Sequence, residues 1–145
     1  MSEVPSDLGE LLELAFDAIP ELVFIKGDRS RLLWVNRAGR ELYGMSNAEL
    51  KDAIDGPQVD LDAPAQYVRD DHHVFTTGEI LEVPIEQVTD RNGVNTPVRT
   101  VKAPIRRDGS VIGTVGVSRA IQDDSEYRLW LEERADRKGR RAELS

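Results

Sequence analysis

Phe24-Ile-Lys-Gly-Asp-Arg-Ser-Arg-Leu-Leu-Trp-Val-Asn-Arg-Ala-Gly-Arg-Glu-Leu-Tyr43 is the stretch on which the fold turns. Leu22 to Lys26 and Arg31 to Val35 have strand character, and the polar Gly-Asp-Arg-Ser between them is of hairpin length. Asn36 ends the second strand and can accept from the first N–H groups of a short helix, Arg37 to Tyr43, which Gly44 stops. Towards the other end, Thr96 to Arg106 and Ser110 to Gln122 read as two long strands around Asp108-Gly109. The two regions together describe one antiparallel sheet, with helices supplied by the middle of the chain.

Upstream, Leu8, Leu11, Leu12, Ala15, Phe16 and Ile19 recur at spacings of three and four, the stripe of an amphipathic helix, with Ser6 placed as its N-cap and Pro20 as its end. Such a helix covers either the outer sheet face or its own copy in a second chain. Ser46-Asn-Ala-Glu49 has the spacing of a capping box and opens a short helix expected to run through Ile54 and to close at Gly56-Pro57; Gln58 to Pro64 reads as loop. Ala63 to Thr76 is the longest middle helix, stopped by Gly78. Its wheel places Tyr67, Val68, Val74 and Phe75 on one face with Asp71 among them, His72 at the margin and His73 outside. Leu81, Val83 and Ile85 alternate with Glu82, Pro84 and Glu86 as in a half-buried strand, and Pro84 marks a bulge or a sheet edge. Asp90-Arg-Asn-Gly is a hairpin turn.

The chain has 145 residues, 39% of them apolar, enough for one modest core. It has no apolar run of membrane-spanning length and no secretion-type start, so a cytoplasmic location without membrane association is expected. The absence of cysteine removes disulfides, thiol nucleophiles and cysteine zinc sites. A formal charge of −8 repels polyanions, and the basic residues Arg134, Arg137, Lys138, Arg140 and Arg141 alternate with acids, so no nucleic-acid partner is expected.

The order of these elements is α+β. Phe24-Ile-Lys-Gly-Asp, Val35-Asn-Arg-Ala, Tyr43-Gly-Met-Ser, Arg69-Asp-Asp with Val74-Phe-Thr-Thr-Gly-Glu, Thr100-Val-Lys-Ala-Pro-Ile and Gly113-Thr-Val-Gly-Val-Ser-Arg, in this order, resemble a PAS domain from about Phe16 to Gln122. The resemblance implies a five-stranded antiparallel sheet of order 2-1-5-4-3 with short helices on one face. It also implies flanking terminal helices and a role as a sensory or interaction module in signal transduction. The domains are then residues 1–20, an amphipathic helix; 21–122, the PAS domain; and 123–145, a signalling or linker helix. Ala120-Ile-Gln122 stands where the family usually has Asp-Ile-Thr, and Lys51-Asp-Ala-Ile-Asp55 where it has Gly-Lys-Thr, so the family's usual carboxylate coupling to the exit helix is missing.

An unknown small molecule is the expected ligand. Pocket residues are expected to be Trp34, Asn36 and Tyr43 on one wall; Val68, Asp71, His72 and Phe75 from the long helix; and Val83, Ile85, Thr100, Lys102, Val115 and Val117 from the strands. Asp71 and Lys102 are both charged at inward positions and are expected to meet, with Thr100 as a third partner or with Lys102 reaching the rim instead. Lys102→Met would then cost about 3 kcal/mol or more. No cofactor or metal is assigned: haem and flavin stay open only as alternatives, since His73 faces out, His72 is marginal and neither stands at the axial-ligand position, and Asp60, Asp62, Asp70 and Asp71 lack a calcium-loop pattern. No catalytic residues are assigned. A homodimer is expected through Leu8, Leu11, Leu12 and Ala15, with Tyr127, Trp130 and Leu131 of the exit helix, and an output domain or partner protein as the recipient of the signal. The rivals are a small cone-shaped α+β enzyme with a buried Asp and His, which would begin with long helices, and a dimerisation scaffold with a filled core.

Overall fold

The structure, a computed structural model, describes residues 4–51, 63–121 and 124–144. In chain order these form helix α1 (Leu8–Ala18), strands β1 (Leu22–Lys26) and β2 (Leu32–Val35), and helices α2 (Arg37–Tyr43), α3 (Asn47–Leu50) and α4 (Ala63–Thr77). Strands β3 (Leu81–Thr89), β4 (Asn95–Arg107) and β5 (Ser110–Ala120) follow, and then helix α5 (Asp124–Leu144). The five strands make one antiparallel sheet of order β2-β1-β5-β4-β3. A hairpin that precedes the short helices, in a sheet of this order, is the PAS arrangement and excludes the cone-shaped enzyme fold.

Local chemistry explains the element ends. Asp7, not Ser6, caps α1: its carboxylate accepts from Gly9 N at 3.1 Å and also suits the positive end of the helix. The Ser46–Glu49 capping box forms, but α3 stops at Leu50 because Lys51 turns to extended backbone. The expected end at Ile54, the Gly56-Pro57 stop and the loop from Gln58 to residue 62 lie outside the described residues, whereas Ala63 and Pro64 begin α4. Asp108 and Gly109 both have positive φ (48° and 83°), as a two-residue turn between twisted strands requires.

Register sorts the sheet into two faces. Leu22, Phe24 and Lys26 of β1 share the inner face with Thr114, Gly116 and Ser118 of β5 and with Val98, Thr100 and Lys102 of β4. Gly116 is required there, because a Cβ would overlap the Phe24 ring. Leu22, Phe24, Leu32, Val35, Tyr43, Leu50, Val88 and Val98 form the apolar core. On the outer face Trp34 meets Phe16 of α1 edge-on, with ring centroids 6.0 Å apart.

Asn36, fully buried, ties the N-terminal elements together. Its Nδ2 donates to the carbonyls of Phe16, Ile19 and Glu21 (2.9, 3.1 and 2.8 Å), and its Oδ1 accepts from Val23 N and Gly39 N (3.0 and 3.2 Å). One side chain thereby closes the end of α1, anchors β1 and caps α2. Asn47 does similar work at the edge of the sheet, pairing its amide with Val35 N and O (2.9 and 3.1 Å) where a further strand would otherwise dock.

Asn36→Ala is expected to destabilise the fold by about 3 kcal/mol or more, since several buried backbone groups lose their partners together. Asn36→Asp keeps the acceptor but sets a carboxylate against three carbonyl oxygens, so it should do no better. Urea denaturation measures both, and an Asn36→Asp protein within about 0.5 kcal/mol of wild type would contradict this role.

Candidate functional site

Inward side chains with charge are the exception in a core this small, and here they cluster. Asp71 projects from α4 onto the inner sheet face and is 4% exposed. Its Oδ2 accepts from Lys26 Nζ at 2.9 Å and from the Ser30 hydroxyl, and its Oδ1 accepts from Lys102 Nζ at 3.0 Å. Both ammonium groups lie near the Tyr67 ring, 5.6 Å from its centroid for Lys26 and 5.5 Å for Lys102. Arg29 and Ser30 both have positive φ (57° and 60°) in the turn after β1. Such residues cost about 1 kcal/mol or more each, a strain that here aims the Ser30 hydroxyl at Asp71. Burial alone pushes the Asp71 carboxyl up, but the two lysines and Ser30 outweigh it and hold the group below its ordinary range.

Beside this cluster is a cavity of about 30 Å³ lined by Leu22, Phe24, Lys26, Leu32, Tyr43, Tyr67, Glu86, Val88, Lys102 and Ser118. That is room for about two waters, so a ring-sized guest has to push the walls apart, and neither haem nor flavin fits as it stands. Glu86 is 8% exposed, and among the described residues its Oε2 has no hydrogen-bond partner. Burial pushes its carboxyl above the ordinary range; Lys102, the Thr100 hydroxyl and Lys26 pull it down without undoing the rise, and Asp70 adds to it.

Several expected pocket residues stand elsewhere. Tyr43 and Lys102 line the cavity, and Asp71 sits behind its wall, holding Lys26 and Lys102. Thr100 is fully buried but pairs with Ser118 at 2.7 Å and with Glu86, not with Asp71. Trp34 is on the outer face against Phe16, and Asn36 is the structural tie described above. Val115 and Val117 also face outward, because the inner positions of β5 belong to Thr114, Gly116 and Ser118. Val68 is exposed, as are His72 and His73, so no histidine reaches the cavity. Val83, Ile85 and Phe75 are half-buried and outside the cavity wall.

Lys26, Ser30 and Glu86 were missed. Lys26 was legible, since it follows Leu22 and Phe24 in the period of two. Glu86 was not placed because the bulge between Val83 and Glu86 shifts the parity of β3, so a residue read as outward turns inward. Of the residues expected at a dimer interface, Leu8, Leu12, Ala15 and Leu131 are exposed and Leu11 and Trp130 are half-buried. Tyr127 meets this chain's own sheet: its hydroxyl accepts from Gln87 Nε2 at 3.0 Å.

Asp71→Asn leaves two buried lysines facing an amide and should destabilise the fold by about 4 kcal/mol. Lys102→Met should cost only about 2 kcal/mol, less than sequence alone implies, because Asp71 keeps Lys26 and Ser30. Asp71 stabilises the fold above about pH 4, and this contribution is lost as the pH falls through its lowered folded value. Glu86 acts in the opposite sense: stability is intact below about pH 4 and is lost as the pH rises through its raised folded value. Glu86→Gln should therefore melt above wild type at pH 7, with the gap closing by about pH 4. Thermal melts across this range check it, and a lower melting temperature at pH 7 would count against the placement of Glu86.

No curated protein matches the chain by sequence. Among solved structures, it is similar to VqmA bound to DPO (TM-score 0.66, 21% identity, 79% of this chain and 58% of that one). It is similar also to the Vibrio cholerae VqmA–ligand–DNA complex (TM-score 0.69, 21% identity, 82% and 54%). A third is the PAS domain of an HTR-like protein from Haloarcula marismortui (TM-score 0.60, 19% identity, 78% and 91%). The chain thus spans just over half the length of the VqmA structures it matches. The expectation of no nucleic-acid partner is corrected by this likeness: VqmA was solved on DNA, and an acidic charge on one folded unit says nothing about a unit joined to it. Among the described residues, no helix is long and apolar enough to cross a membrane. A family model described as PAS fold matches residues 16–126, and the chain belongs to that family.

Proposed function

We propose that the protein is a non-enzymatic sensory module that admits a small molecule to the cavity between Glu86 and Lys102 and reports its presence through α5. The observation that carries this reading is the position of Gln87. Its neighbours Glu86 and Val88 line the cavity, while the Gln87 side chain points to the opposite face of β3. There its Nε2 donates to the Tyr127 hydroxyl at 3.0 Å, and its Oε1 accepts from Arg134 at 3.4 Å, two contacts seven residues apart on one side of α5. From the cavity side, the Tyr67 hydroxyl donates to the Gln87 carbonyl. Tyr127 stacks on Trp130, and the Arg134 guanidinium lies 5.2 Å from the Trp130 ring, so the helix side of the contact is one packed unit.

This linkage replaces the carboxylate coupling that Ala120-Ile-Gln122 lacks. A guest that widens the cavity moves Tyr67 or Glu86, and with them the backbone at Gln87. The adjacent bulge lets β3 shift without breaking its pairing with β4. VqmA, solved with a small ligand and with DNA, supports a DNA-linked output, reached through a unit joined to or docked on α5 rather than through the acidic domain itself. The small cavity is also what a filled-core scaffold would show; the buried Glu86 carboxyl in its wall is what favours a site.

Val88→Phe serves as a built-in guest, and hydrogen exchange of α5 with Trp130 fluorescence as the readout. Val88→Phe is expected to change α5 exchange in the wild-type background by about threefold or more, and to change it far less in Gln87→Ala, a coupling of the size found between contacting residues. An equal response in both backgrounds would remove Gln87 from the route.

A further inference from the structure

Two buried carboxyl oxygens have no hydrogen-bond partner among the described residues, and they belong to neighbouring elements: Asp70 Oδ2 on α4 and Glu86 Oε2 on β3. The bulge after Val83 turns Glu86 inward, and Asp70 is near enough for its charge to oppose ionisation of Glu86. The other oxygen of each carboxyl is served, Asp70 Oδ1 by Gln66 Nε2 at 2.8 Å and Glu86 by the Thr100 hydroxyl. While both groups are ionised neither can help the other, because a carboxylate only accepts. One proton changes this, since a neutral carboxyl has an O–H to donate and a single bond then serves both orphaned oxygens.

Charge points the same way. Asp70, Asp71 and Glu86 set three negative charges against the two ammonium groups of Lys26 and Lys102, and both lysines are held by Asp71. Arg69, beside Asp70 in the chain, is exposed and donates to Gln66 Oε1 instead. Tyr43 of α2 and Tyr67 of α4 share the cavity wall with Glu86, while His72 and His73 stand on the exposed side of α4. A negative charge in excess at a buried seam is most simply removed by a proton.

We propose that Glu86 and Asp70 hold one proton between them, the Glu86 carboxyl donating to Asp70 Oδ2, and that this bond is a pH-sensitive clamp joining α4 to β3. The clamp is closed at acidic pH and opens as the pH rises and Glu86 ionises, leaving two carboxylates face to face. It needs no guest in the cavity and so stands apart from the sensory reading.

Two readouts on the whole chain test it, with near-ultraviolet circular dichroism to show that each variant is folded. Carbon-13 NMR of the Glu86 carboxyl should show its titration midpoint falling by about one pH unit or more in Asp70→Asn, whose amide can donate to the ionised carboxyl. The midpoint should stay in place in Glu79→Gln, which removes a charge from the exposed turn after α4. Hydrogen-exchange protection of the α4 amides in the wild type should drop about tenfold from about pH 5 to about pH 8, against less than about twofold in Glu86→Gln and in Asp70→Asn. His72 and His73 are present in all of these proteins, so their titration cannot make the difference. An unchanged Glu86 midpoint in Asp70→Asn, or an equal fall in Glu79→Gln, removes Asp70 from the pair. Protection of α4 that is independent of pH in the wild type, or that falls equally in the variants, overturns the clamp.

Discussion

A carboxylate in the middle of a small core survives only if its surroundings replace the water it has lost, and Asp71 meets that condition with three side chains from different parts of the chain. Lys26 brings β1, Ser30 the turn after it, and Lys102 β4, so the long helix α4 is fixed on the sheet by one group. Lys26 and Lys102, both held by Asp71, line the cavity together with the Glu86 carboxyl. Two carboxylates near the same lysines are thus driven in opposite directions, Asp71 below its ordinary range and Glu86 above it.

The rest of the architecture divides the labour between two ties and two faces. Asn36 holds α1, β1 and α2 through hydrogen bonds alone, and Asp71 holds α4 through charge. The inner face of the sheet carries polar and small residues next to the cavity, while the outer face carries Trp34, Val115 and Val117 and receives the terminal helices. Strand alternation makes any residue between two cavity residues a neighbour of the opposite face, and in β3 that residue is Gln87.

Much of the fold was legible in the residues. The hairpin, the Asn36 cap, the strand order and the Asp71–Lys102 pair follow from local turn chemistry, from the PAS resemblance and from the rule that buried charges find partners. The candidate site was less legible, for reasons of parity. In β5 the apolar residues face out and the small polar ones face in, the reverse of the usual pattern, because the inner face has to accommodate the Phe24 ring and the lysines; hydrophobicity cannot say which face that is. In β3 the expected bulge at Pro84 carries a consequence that alternation alone hides, turning Glu86 inward. Val68 sits on the expected face of α4 but beyond the edge of what it covers.

One core carboxyl, Asp71, is saturated by two lysines and Ser30, and the other, Glu86, lies beside the cavity with one oxygen unpartnered among the described residues. Carbon-13 NMR of the side-chain carboxyl groups, followed through a pH titration, reads both at once. Asp71 is expected to titrate below the ordinary carboxylate range and Glu86 above it. Both groups titrating together in the ordinary range would contradict it.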